Sequence, residues 1–312
     1  MKRDVRFGHY IFQDGLTFTK IHNTAVECER LGFDSVWLKD NFSPWLHSWL
    51  GGRNVNPYAE FLECWTTLSA LSAVTKRIRL GCVLVNLYRK PSLIAKMAST
   101  LDRISQGRLE LGLSAGWNQE ECISYGMAFP PPATRVEMLE DAIKVIKKMW
   151  TKKRAFYRGP HHEVRGAICQ PKAVQKPHPP LWVGGGGSRT LSIAAREADG
   201  WIHGLCPKKE YMRAMRGLAE ECKNCGRKWD TITKAWYGIV LIRENELPVK
   251  DGTSKNSETR LDTAVIGTPA KIARELREYL DMGVTYFIPT FSPAGPPKQL
   301  ERFAESVMPL LT

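Results

Sequence analysis

Short apolar runs alternate with amphipathic helical stretches, and the alternation repeats eight times along the 312 residues. Runs of β-branched and apolar residues at 5–12, 35–40, 78–85, 109–114, 181–183, 200–202, 235–242 and 285–289 read as strands. Between them the periodicity turns helical. One helix spans 19–31 and is closed by Gly32, and another runs to Val74. A third, 91–104, carries Pro91 in the first turn, where proline is tolerated. Further helices are expected at 188–198, 208–223, 269–281 and 298–308. In the long helix 135–150, Met138, Ala142, Val145, Ile146 and Met149 fall on one face at helical spacing.

Several stretches break this rhythm. Residues 41–58 form a loop rich in Trp, Gly, Asn and Pro, and short helical turns at 120–125 lead to a proline-rich joint at 130–132. Residues 151–178 lack helical periodicity and read as a β-hairpin insertion before the fifth barrel strand, with an extended tail. Residues 243–266 are polar and charged, and read as a mobile loop after the seventh strand. Eight strand-then-helix units with buried-looking strands imply a closed parallel (β/α)8 TIM barrel, one domain over 1–312. An open doubly wound sheet would need a Gly-x-Gly-x-x-Gly after its first strand, and none is there.

Composition narrows the partners. With 43% hydrophobic and 25% charged residues, the chain can bury one large core. No apolar run approaches the roughly 20 residues that cross a bilayer. The first residues lead straight into a strand pattern without a signal segment, so the cytoplasm is the expected compartment. The eight cysteines are scattered, and Cys28, Cys64 and Cys82 sit in apolar stretches where a thiol acts as a small hydrophobe. Cys222 and Cys225 have the spacing of a zinc or redox pair, but no second pair or nearby His completes a set, so no metal is expected. The net charge of +13 is spread along the chain, with only short basic runs at 152–154 and 208–209. It fits a solvated surface or a basic rim around an anionic ligand, and neither nucleic acid nor membrane is an expected partner.

In such a barrel the chemistry sits where strands end. The second strand ends in Lys39, Asp40 and Asn41, and the fourth in Ser114, Ala115, Gly116, Trp117 and Asn118. The fifth ends in Gly184, Gly185, Gly186 and Gly187, followed by Ser188 and Arg189 at a helix start. Glycines let backbone approach a ligand closely, and a helix N-terminus offers N–H groups and a positive dipole end, which favours a phosphate site over a merely tight turn. Asp40 reads as a solvated turn residue, a helix cap or a pocket residue, and its place at a strand end favours the pocket. Trp37, Trp65, Trp150 and Trp182 read as core. Trp45 and Trp49 either wall a pocket for a planar molecule or pack beneath their loop.

Longer stretches carry a resemblance. Residues 32–40, Arg89-Lys90-Pro91, Ile94-Ala95-Lys96, 101–108 and 111–118 resemble the luciferase-like monooxygenase superfamily. Tyr125-Gly126, Phe129-Pro130, Arg135, Trp150-Thr151, Gln170-Pro171-Lys172, Gln175-Lys176-Pro177, 180–185 and 198–201 continue the likeness, in order, over nearly the whole chain. It is most similar to the shorter branch of coenzyme F420-dependent reductases, such as methylenetetrahydromethanopterin reductase. The resemblance implies that Val83, Leu84 and Asn86 form a bulge after strand three, often with a non-proline cis peptide, behind the ring of the cofactor. It places Asp40 beside the ring, Gly116 and Asn118 among the strand-four contacts, and Gly184 to Gly187 with Ser188 near the cofactor's tail and phosphate. Many members have His after the aspartate where this chain has Asn41, and an amide cannot donate a proton as an imidazolium would.

The implied activity is hydride transfer between coenzyme F420 and a small organic substrate, with Asp40 and Asn41 as the candidate catalytic pair. The alternatives are an FMN-dependent monooxygenase served by a flavin reductase and a flavin-binding protein without turnover. A homodimer or larger homo-oligomer is expected.

Overall fold

The computed structural model describes residues 4–44, 56, 58–244, 263–291 and 298–312. Eight strands form the barrel: β1 (Arg6–Ile11), β2 (Ser35–Lys39), β3 (Arg79–Val85), β4 (Leu109–Ser114), β7 (Leu181–Gly184), β8 (Gly200–Gly204), β9 (Thr233–Ile242) and β11 (Tyr286–Phe291). They pair in parallel in that order, and the β8–β9 and β11–β1 pairings close the ring. The result is the (β/α)8 barrel that the alternating pattern predicts.

Helices cover the outside: α1 (Phe18–Arg30), α2 (Cys64–Val74), α3 (Pro91–Ile104), α4 (Gln119–Ser124), α5 (Pro132–Thr151), α6 (Ser188–Glu197), α7 (Lys208–Asn224), α8 (Pro269–Asp281), α9 (Gln299–Ser306) and α10 (Met308–Leu311). Their starts follow local chemistry. Thr17 and Thr268 cap α1 and α8 by accepting backbone N–H bonds, and proline opens α3, α5 and α8. The insertion is a hairpin of β5 (Ala155–Arg158) and β6 (Glu163–Ala167). The expected loop at 243–266 is shortened at its far end, because Val265–Gly267 forms a ninth strand, β10, paired in parallel with β9. Residues 245–262 of that loop, and Trp45 and Trp49, lie outside the described residues.

Two layers of apolar side chains hold the barrel. One lies between strands and helices, and the other fills the interior with Trp37, Trp182, Tyr286, Ile202 and Ile288. Trp37 and Trp182 meet edge-on at 5.7 Å. Glycine on the neighbouring strands makes room for them, since a Cβ at Gly81 would lie 2.2 Å from the Trp37 ring and one at Gly200 2.2 Å from the Trp182 ring. Buried Glu110 anchors this plug, accepting from Trp182 Nε1 at 2.5 Å and pairing with Arg79 at 2.5 Å. This plug fills the barrel interior below the carboxyl ends of its strands.

Candidate active site

A cavity of about 360 Å³ lies at those carboxyl ends, a size in the range of small-molecule sites. Four strand ends contribute most of its wall: Lys39, Asp40 and Asn41 after β2, Ser114 to Trp117 after β4, Gly184 to Gly187 after β7, and Ile202 to Gly204 of β8. Tyr10, Val83, Val85, Thr190 and Tyr237 complete it. Tyr10 and Tyr237 stack at 5.6 Å, giving the wall a flat aromatic face.

The β2 end is fixed by side-chain bonds from several elements. Gln13 grips the backbone of Lys39 on both sides, accepting its N–H at 3.0 Å and donating to its carbonyl at 3.2 Å. The Lys39 ammonium pairs with buried Asp14 at 2.7 Å beside the Phe61 ring, and burial holds its pKa below the ordinary lysine value. Asp40 is buried and accepts the Val85 N–H at 2.8 Å, and Arg89 donates to both of its oxygens at 3.0 and 2.9 Å. Arg89 also pairs with Glu63. Burial pushes the Asp40 carboxyl up to about 6, with Arg89 opposing the rise. Asn41 donates from Nδ2 to Glu121 at 2.8 Å. The same buried carboxylate accepts the Phe42 N–H at 2.8 Å and the Tyr88 hydroxyl at 2.5 Å.

The β7 end is made of backbone. Gly185 has φ +124°, a conformation that side chains disfavour, and its carbonyl accepts from Trp201 Nε1 at 2.8 Å. A Cβ at Gly186 would lie 2.7 Å from His203 Nε2. Gly187 caps α6 without a side-chain bond, so the first N–H groups of that helix remain for a ligand.

The other expected residues divide. Val83 and Gly116 are on the wall, Gly116 with φ +80°. Leu84 is not: its side chain alternates outward from β3 and is buried between strand and helices. Asn86 is 2% exposed, off the wall, and neither atom of its amide has a hydrogen-bond partner. The cis peptides among the described residues are Gln170-Pro171 and Lys176-Pro177, so the bond expected near Val83 to Asn86 is trans. Asn118 caps α4, accepting the Glu121 N–H at 3.2 Å, and so turns from the cavity. Ser188 is exposed at the first position of α6, and Thr190, two residues on, reaches the wall instead.

Sequence reasoning named Lys39 at a strand end without giving it a role, and passed over Tyr10, Tyr237 and His203. Tyr10 and Tyr237 look like ordinary strand residues. His203 follows the strand expected at 200–202, and its position at a strand end was the available signal.

Comparison with known proteins gives the same frame. An F420-dependent glucose-6-phosphate dehydrogenase of Microbacterium testaceum is 25% identical over 98% of this chain and 97% of its own. The fold matches an F420-dependent secondary alcohol dehydrogenase, solved with an F420–acetone adduct, at a TM-score of 0.83 and 17% identity over 99% of both chains. It also matches the coenzyme F420-dependent tetrahydromethanopterin reductase of Methanopyrus kandleri at 0.81 and 21% identity, over 99% of this chain and all of that one. Residues 5–251 match the luciferase-like monooxygenase family, and with most of its length inside that match the chain belongs to it.

Proposed function

We propose that the protein is a coenzyme F420-dependent oxidoreductase that moves hydride between the deazaflavin and a small organic substrate. The observation that carries this reading is the glycine turn at the open end of the barrel, taken with full-length relatives named for the same cofactor. The residues present fit such a group. The turn at Gly185 and Gly186 leaves backbone where a side chain would be strained or would strike His203, and the α6 N-terminus would offer its first N–H groups to a phosphate. Val83, Val85 and Ile202 offer apolar contact, and Tyr10 with Tyr237 an aromatic face.

When bound, the deazaflavin supplies a carbon that takes or gives a hydride. The chain must then handle the matching proton. Asp40 is committed to Arg89 and Val85, and Asn41 does not titrate, so we assign Asp40 to holding the rim and Lys39 with Asp14 to proton transfer. An ammonium beside a carboxylate can protonate a carbonyl oxygen as hydride arrives, or take the hydroxyl proton in the reverse direction. The basic charge of +13 favours an anionic cofactor. We place the protein in the cytoplasm as a homo-oligomer. No helix among the described residues is long and apolar enough to cross a membrane.

The test is purification from a host making both F420 and FMN, with the bound species identified by absorbance and mass. Bound F420, reduced anaerobically by a hydroxyl substrate, is the expected result. FMN alone, with oxygen uptake on reduction, would establish the monooxygenase reading instead.

A further inference from the structure

On the helix side of the cavity, the chain gathers a set of groups that hydride transfer does not use. His203 belongs to β8, Cys206 follows in the turn, and Glu210 lies in the first turn of α7. Their candidate ligand atoms all lie within 4.8 Å of one another, and His203 Nε2 is 3.5 Å from Cys206 Sγ. The fold makes the turn this tight. A Cβ at Gly204 would lie 1.7 Å from the Tyr237 carbonyl oxygen, and Leu205 takes a positive φ of 48°.

These distances suit a particular kind of ion. In tetrahedral zinc, bonds of about 2.0–2.1 Å to imidazole nitrogen and about 2.3 Å to thiolate set the two ligands roughly 3.6 Å apart. The His203–Cys206 edge already has that separation. Cys206 is buried, and the His203 ring packs against Tyr211, stacked at 5.8 Å, and Trp201 at 5.6 Å, which limits the movement of both. Glu210 is exposed, and its carboxylate is free to close the remaining distance.

We propose that His203, Cys206 and Glu210 form a binding site for one zinc-class divalent cation at the edge of the cavity. Thiolate and imidazole select against calcium and magnesium, which take oxygen ligands. Three protein ligands leave a fourth position for water or another donor. His203 also abuts Gly186, so a bound cation lies beside the glycine turn and adds positive charge where an anion is expected to sit. The site is separate from Cys222 and Cys225, whose spacing alone suggested metal. Both of those lie at the far end of α7, Cys222 buried and Cys225 exposed. The proposal holds whichever organic cofactor the cavity takes.

The full-length protein, treated with chelator and dialysed, is titrated with cobalt(II) and then zinc(II). The expected result is one equivalent of cobalt, with the visible bands of tetrahedral coordination and a near-ultraviolet thiolate-to-cobalt band, displaced by zinc. Cys206→Ser should abolish the thiolate band. Glu210→Gln, at an exposed helix position, should fold normally and weaken binding by more than the about 10- to 100-fold that an outer-shell partner is worth. Zinc should raise the melting temperature of the wild type and leave that of Cys206→Ser unchanged. Cobalt binding without the thiolate band, equal affinity in both variants, or loss of the signal in Cys222→Ser instead would overturn the assignment.

Discussion

The two sides of the cavity are built on opposite principles. At the end of β2 every polar side chain is engaged by another part of the protein: Lys39 by Asp14, Asp40 by Arg89, Asn41 by Glu121. At the end of β7 there are no side chains to engage, only Gly184 to Gly187 and the uncapped start of α6. The first arrangement fixes positions, because each buried charge or amide there is held by a partner from another element. The second leaves donors for something that arrives from outside. A cavity with one wall preset and the other waiting suits a ligand gripped by its phosphate end while its reactive end meets a rigid rim.

The largest effect should come from the preset wall. Folding raises the Asp40 pKa from 3.8 to about 6. The folded protein then holds the Asp40 proton more tightly than the unfolded chain does. That contribution to stability is complete below about pH 4 and is lost as pH rises through 6. Asp40→Asn should remove this decline. Between pH 3 and pH 7, denaturant unfolding of the wild type should lose on the order of 3 kcal/mol relative to the variant. Parallel stability curves for the two proteins would mean that Asp40 is not the buried acid described here.

Lys39→Met separates holding from chemistry. It should lower turnover by about a hundredfold and remove a limb of the pH–rate profile, which burial has moved below the ordinary lysine pKa. Cofactor affinity, measured separately by fluorescence, should change little. Full turnover in this variant would return the proton to water or substrate.

The open wall is probed by Gly186→Ala, whose methyl would have to displace the His203 ring. A cost of about 1–3 kcal/mol should appear as a lower melting temperature, and cofactor affinity should fall as well because the displaced ring crowds the turn. Unaltered affinity for both F420 and FMN would remove the phosphate role from this turn.

The smallest effect belongs to Tyr88→Phe, which takes one of three donors from Glu121. Stability should fall by about 1 kcal/mol, read as a lower denaturation midpoint. Activity should fall modestly, since Asn41 keeps its own bond to Glu121. A large loss of turnover at unchanged stability would make Tyr88 a direct participant.

Much of the architecture was written in local patterns. The period of apolar residues located all eight barrel strands, and proline or threonine marked helix starts such as those of α3 and α8. Helix and strand periodicity depend on neighbours a few positions away, so they survive in a one-dimensional reading. β10 escaped because three residues carry too little pattern, and only pairing with β9 makes them a strand.

The glycine run was legible for a similar reason. A missing side chain is visible in the sequence, and its position at a strand end identifies the open end of the barrel. Asp40 was legible as a position but not as a chemical group. Its partner Arg89 lies 49 residues away, and that contact, with complete burial, sets its pKa. Distance along the chain also hid the grip of Glu121 on Asn41, 80 residues apart. The chain by itself determined the barrel, its open end and the place of the glycine turn, because those follow from local spacing. Which polar groups face the cavity free and which are bound to each other was decided only in the tertiary structure, because electrostatics and burial depend on what lies near in space.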